Sequence, residues 1–168
     1  MPFGVAFGIS IFTNVYGKEF RMKISSPVFA HNGFIPKKYT CDGSDVNPPL
    51  IFDGTPAEAK SLVLIVDDPD APAGTWVHWV VWDIDPKTKE IKENSVPEHA
   101  KQCLTDFGRS EYGGPCPPSG THRYFFRLYA LDTHPTLVRN ATKGDAESAM
   151  KGHVLAKAEL IGLYKRGG

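Results

Sequence analysis

The chain has no surplus of either charge. Its 168 residues carry 19 basic and 19 acidic side chains, so the formal net charge is zero. Nucleic acid and anionic membrane surfaces both select for a basic excess, and neither is an expected partner. Cysteine is scarce: Cys41, Cys103 and Cys116 make an odd count without a C-x-x-C spacing. A disulfide framework is therefore not expected. The thiols, Cys116 included, read as reduced and the protein as cytoplasmic, with one bridge plus a free thiol as the competing arrangement. No transmembrane segment is expected either. The apolar opening "MPFGVAFGISIFTNVYG" is too short to span a bilayer and is broken by glycine. It lacks a positive n-region and a clear small-residue cleavage site, which makes an exported or periplasmic protein the minor reading. Residues 1–21 thus read as an N-terminal extension outside the core, and 22–168, from "MKISSPVF", as the folded domain.

What is plentiful is punctuation. Sixteen glycines and 14 prolines mean many turns and hence many short strands. At this length one domain with its own core is expected. "SPVFAHNGFIPKKYTCDGSDVNPPLIF" is a string of short β-like pieces separated by Asn-Gly, Pro and Asp-Gly. "SLVLIVD" (61–67) is a β-branched run suited to a strand covered on both faces. In "WVHWVVWDI" (76–84), a period of two places Trp76, His78, Val80 and Trp82 on one face and Val77, Trp79 and Val81 on the other. In "HRYFFRLYAL" (122–131), His122, Tyr124, Phe126 and Leu128 share a face. The intervening 85–121 reads as a long irregular loop, stiffened by the six Gly and Pro residues of 113–120. A helix is expected at the C-terminal end, capped by Asp145, with Ala149, Met150, Val154, Ala158 and Ile161 as its apolar stripe and Gly167 as its stop. The fold class is mainly β with a C-terminal α element.

The chemistry gathers around "DDPDAPAGTWVHWVVW" (67–82), where acids crowd two prolines just before a strand that carries a histidine. A carboxylate within reach would fix the tautomer of His78. His122 opens the other strong strand directly after the Gly/Pro loop, and strand ends beside stiff loops are where pockets form. Three uses of this set compete. A hydrolase would have acids and bases, but Ser119 lacks a flanking G-x-S-x-G. A metal site would have suitable ligands without H-E-x-x-H or paired-His spacing. An anion pocket would draw donors from two imidazoles and from the backbone N–H groups of Gly113, Gly114 and Gly120. The residues favour the anion pocket. A metal-dependent or acid/base hydrolase is the alternative, and no cofactor is expected.

"DDPDAP", "WVHW" and "YGGPCPPSGTHRYFF" resemble the two signature regions of the phosphatidylethanolamine-binding protein family, and "YTCDGSDVNPPL" resembles the preceding segment of its bacterial Raf kinase inhibitor-like branch. The resemblance runs from about Met22 to the C-terminus. It implies a large central antiparallel sheet packed on a smaller one, and a small preformed pocket for phosphoryl head groups or phosphorylated ligands. The matching positions are Asp68, Asp70, Trp76, His78, Gly114, Cys116, Pro118, His122 and Tyr124. It also implies a binding protein rather than an enzyme, with a kinase-pathway component as a further partner and a homodimer as bacterial relatives suggest. Val77 departs from animal members, which often carry a second histidine there. Within this frame Asp68 and Asp70 are expected to hold the imidazoles of His78 and His122, which face the ligand. Ala71–Pro72 is a candidate cis bond.

Overall fold

Among the described residues the chain forms ten strands and one α-helix. The computed structural model describes residues 10–13 and 19–167. The strands are β1 (Ser10–Thr13), β2 (Glu19–Ser25), β3 (Gly33–Phe34), β4 (Leu50–Asp53), β5 (Ser61–Asp68), β6 (Trp76–Ile84), β7 (Glu90–Ile91), β8 (Lys101–Gln102), β9 (His122–Leu131) and β10 (Val154–Tyr164). The helix α1 (Lys143–Met150) lies between β9 and β10. Six strands form one sheet in the order β3-β10-β9-β5-β6-β8, antiparallel except for β3 beside β10. The smaller sheet, β1-β2-β4-β7, is antiparallel throughout.

β5 shows why the layers stack as they do. All eight of its residues are buried. Leu62, Leu64 and Val66 meet Met22, Ile24, Leu50, Phe52 and Ile91 of the smaller sheet in the main core. Val63 and Ile65 turn to the opposite face, into a second cluster with Ala146 and Met150 of α1. Each buried aliphatic side chain contributes about 1.5–3 kcal/mol, so a strand covered on both sides needs apolar residues at every position. The run "SLVLIV" supplies them.

The C-terminal end differs from the expected single helix. α1 is two turns long, with Thr142 as its N-cap and Asp145 reciprocating in a capping box. Gly152 then takes a left-handed φ of 81°, and the chain re-enters the large sheet as β10. Met150, Val154 and Ala158 fit a helical stripe, but Ala156, Ala158, Leu160 and Tyr164 also alternate with more exposed neighbours. Burial between β9 and β3 selects the second period.

Two irregularities in β6 overturn its expected faces. Val66 pairs with Trp79 while Asp67 pairs with Val77, so His78 is an extra residue with no partner opposite. A second such step follows at Asp83, whose φ is +57°. The first bulge turns His78 onto the Trp79 and Val81 side and leaves Val77 with Val80 and Trp82. The region 85–121 is also less bare than expected, since β7 and β8 lie within it. β9 keeps its alternation: Tyr124, Phe126 and Leu128 enter the main core.

Candidate functional site

Three strand ends meet at one end of the large sheet. β5 is antiparallel to both neighbours, so its last residue, Asp68, lies beside the first residues of β6 and β9. Those carry Trp76 and His78 on one side, His122 and Tyr124 on the other. Together they line a cavity of about 360 Å³. Ala71 and Pro72 of the β5–β6 turn, Phe107, and the Cys116–Pro118 loop close its walls. The Ala71–Pro72 bond is trans, as no described peptide bond is cis.

Each polar group at this site has a fixed partner or a conspicuous lack of one. The His122 Nδ1–H donates to Asp68 Oδ2 at 2.7 Å, and the other Asp68 oxygen accepts the Asp70 N–H at 2.7 Å. His78 Nδ1 lies 2.6 Å from the Gly113 carbonyl oxygen, which can only accept. Asp70 does not support a histidine: its carboxylate takes the Arg123 guanidinium through two hydrogen bonds, at 2.9 and 2.8 Å, and the Arg123 backbone N–H. The guanidinium holds the Asp70 pKa down at about 2. Asp70 is thus a clamp between the β5–β6 turn and β9, outside the cavity lining.

Burial sets the protonation of the aromatic wall. His78 is 3% exposed, with its ring edge-on to Phe107 and Tyr124 at 5.2 Å each. Desolvation lowers its pKa; the hydrogen bond to Gly113 and the charges of Asp68, Asp67 and Asp45 push the other way without prevailing. Tyr124 is fully buried and its pKa is raised, first by desolvation and then by Asp68 and Asp70, against a lowering pull from the Cys116 backbone. No group meets hydrogen-bonding geometry with its hydroxyl, which among the described residues is the one buried side-chain polar atom without a partner.

The Gly/Pro loop corrects two expectations. The N–H groups of Gly113 and Gly114 are committed to the His78 carbonyl and to Asp45 Oδ1, so neither is an anion donor. Gly114 is needed for close approach instead, because a Cβ there would strike the Tyr39 carbonyl and Asp45. Cys116, expected as a free thiol, is bonded to Cys41 across 75 residues of sequence. The odd cysteine count concealed the pair. Nothing local marks two loops that only the sheet topology brings together, although the Cys41 N–H to Pro115 carbonyl bond shows how closely they run. Cys103 is the free, buried thiol, its pKa pushed up to about 11 by desolvation.

Residues 25–165 match the family model for phosphatidylethanolamine-binding proteins. The chain belongs to this family. A UPF0098 protein of Methanothermobacter thermautotrophicus is 52% identical over 151 residues, spanning 87% of this chain and the whole of the relative. The solved structure of a phosphatidylethanolamine-binding protein homolog from Chlamydia trachomatis superposes with a TM-score of 0.84 at 42% identity, covering 87% of this chain and 98% of that one. Escherichia coli YbcL, described as a new member of the mammalian PEBP family, superposes with a TM-score of 0.81 at 27% identity over 87% and 99% of the two chains.

Of the residues singled out by resemblance to this phosphatidylethanolamine-binding family, Asp68, Trp76, His78, Cys116, Pro118, His122 and Tyr124 line one cavity. Asp70 and Gly114 stand behind it as supports. Phe107 was missed, together with Ala71, Pro72 and Pro117. Phe107 lies in an aperiodic loop and reaches the site because the Asp106 and Thr105 side chains pin that loop, the former accepting the Val77 N–H. The proline pairs were visible as turn formers, but turn chemistry alone does not say what they enclose.

Proposed function

We propose that this cavity binds phosphate-type anions carried by small molecules or phosphorylated groups. The observation that carries the reading is the buried Tyr124 hydroxyl without a partner, in the same cavity as His122. An unmatched buried hydroxyl is costly, and an oxyanion between it and His122 would remove the cost. The Asp68–His122 bond fixes the imidazole with Nε2 toward the ligand, where it donates to an oxyanion when the ring carries its second proton. The acids cause little repulsion, because both Asp68 oxygens already accept hydrogen bonds and Asp70 is paired with Arg123. The apolar remainder of the wall, Trp76, Phe107 and the prolines, suits the carbon portion of such a ligand.

Among the described residues no three His, Cys, Asp or Glu side chains converge as metal ligands would, and no helix is long and apolar enough to cross a membrane. A kinase-pathway partner would meet surface contacts rather than this cavity and forms no part of the reading. The Cys41–Cys116 bridge shifts weight from the reduced cytosol toward an oxidising setting, or toward an organism that keeps disulfides inside the cell.

Calorimetric titration with phosphoethanolamine tests the reading. Tyr124→Phe and His122→Asn should each weaken binding at least tenfold while leaving the melting temperature near that of the parent. No binding by the parent protein, or equal affinity in both variants, would sink the assignment.

A further inference from the structure

A second cavity, sharing no residue with the one described above, opens where the chain between β2 and β3 swings round the edge of β10. It holds about 370 Å³. Ile24, Val28, Phe29 and Leu160 form its apolar floor, and His31 and Glu159 are among its polar members. The shape is built in. Asn32 turns the loop with a left-handed φ of 63°, and the Gly33 N–H closes that turn on the Ala30 carbonyl at 2.7 Å. The Ser26 hydroxyl holds the opposite end by donating to the Pro49 carbonyl, also at 2.7 Å. Phe29 is seated against Phe126 and against Gly162, where an added Cβ would strike it.

β10 presents unused backbone to this cavity. Ile161 gives its N–H to His31 Nδ1 at 3.1 Å, and its carbonyl accepts the Asn32 N–H at 2.7 Å. The Leu163 carbonyl accepts the Ile35 N–H on the same side. Backbone groups of alternate residues face the same way along a strand, so those of Glu159 point in this direction too. The register with β9 is unbroken from Ala156 to Tyr164, which preserves the alternation. β3, however, pairs only with Gly162 and Leu163. Among the described residues no partner meets the Glu159 N–H or C=O, and a bare edge is left beside an apolar floor.

His31 decides what the end of that edge can hold. Its Nδ1 accepts the Ile161 N–H, so the proton of the neutral ring sits on Nε2, a donor. Lys23 adds a basic side chain to the wall. The Glu159 carboxylate does not oppose an anion there, because the Arg127 guanidinium takes it at 3.0 Å.

We propose that this cavity binds the carboxyl-terminal end of a peptide with an apolar last residue, added to β10 as a short parallel strand in line with β3. In parallel pairing the last residue gives its N–H to the Glu159 carbonyl, and the carbonyl two residues earlier accepts the Glu159 N–H. The last side chain then lies on the main-core side, over Ile24 and Leu160. The terminal carboxylate accepts the His31 Nε2–H. Main-chain bonds supply the attachment, and the apolar floor supplies the choice of last residue.

The probe is acetyl-alanyl-alanyl-leucine with a free carboxylate, titrated into the full chain and followed by amide NMR. Shifts should centre on Glu159, His31 and Ile24. The carboxamide form should bind at least tenfold more weakly. Methylating the leucine nitrogen should cost at least tenfold, whereas methylating the central alanine nitrogen, which faces away from β10, should cost less than threefold. Val28→Trp, a half-buried position that can fill the gap, should abolish binding without lowering the melting temperature. In the protein alone, the Glu159 amide should exchange with solvent about tenfold or more faster than those of Ala158 and Leu160. Absence of binding, equal affinity for carboxylate and carboxamide, equal loss from the two methylations, undiminished binding by Val28→Trp, or slow Glu159 exchange would each overturn the proposal. None of these outcomes bears on the phosphate reading, which concerns the other cavity.

Discussion

At Asp68 and Asp70, two carboxylates one proline apart serve different neighbours, and only one of them bears on the cavity. Asp68 ends β5 on the main-core face and holds His122. Asp70 has turned out of the strand and grips Arg123. That grip has a measurable pH signature. The Asp70 pKa is about 2 in the folded protein against 3.8 ordinarily, so its contribution is fully present above pH 3.8 and is lost as pH falls through about 2. Arg123 is half exposed, so solvent screening holds the effect to about 1 kcal/mol. Asp70→Asn should cost that much at neutral pH and flatten the part of the acid limb between about 4 and 2, as read by urea unfolding at stepped pH. An unaltered acid limb in the variant would mean the ion pair is absent in solution. At this scale the sequence was informative about which residues line the cavity and poor about who bonds to whom. His78, His122 and Asp68 could be picked out by residue type beside strand ends, whereas Arg123 had no feature that distinguishes it from any other exposed base on β9.

Elements show where a linear reading gives out. The stretch from Lys143 to Tyr164 satisfies both a helical and an extended period at several positions, and the choice is made by a neighbour, β9, that it cannot see. The bulge at His78 is equally invisible, yet it decides that the histidine faces the cavity rather than α1. The Gly113–Gly120 loop was read as stiff from its glycines and prolines, and its ties to the rest of the fold lie outside that reading. Hydrogen bonds tie it down as far as Pro115, and beyond that the bridge from Cys116 to Cys41 anchors it to the loop after the 3-10 turn at Lys37–Tyr39. Closing a loop of this length in the unfolded chain is worth about 4–5 kcal/mol by chain entropy, of which disulfides typically deliver about 2–4 kcal/mol. Replacing both cysteines by serine should destabilise the protein by about that amount. Alkylation of the denatured, unreduced protein should label Cys103 alone; labelling of all three cysteines would show that the bridge does not form.

For the molecule as a whole, turn-rich composition and alternating patterns were enough to anticipate a mainly β fold, while the two stacked sheets were implied by the family resemblance. Strand order was not legible, since β2, β4 and β7 are short pieces whose partners lie far along the chain. The boundary at Met22 is open to direct test. β1 pairs with Glu19–Met22, while the ladder from β2 to β4 uses Lys23, Ile24 and Ser25. Met22 is itself fully buried and is kept by a cut before it, which removes β1 and the first three residues of β2. A chain beginning at Met22 should fold, bind phosphoethanolamine as the full chain does, and melt within about 5 °C of it, a shift on the order of 1 kcal/mol for a domain of this size. A much larger fall, seen by scanning calorimetry, would place residues 1–21 inside the folding unit.

The large sheet has one further property, set by its margins. Its outermost strands, β3 and β8, are two residues long each. A sheet of six strands with long bare flanks would be a template on which other chains could crystallise into fibres, strand upon strand. Each outermost strand is itself too brief to recruit a foreign strand, and β3 covers only Gly162 and Leu163 of β10. Growth of the sheet by addition of another chain onto β3 or β8 would gain only two residues' worth of ladder, a weak basis for assembly.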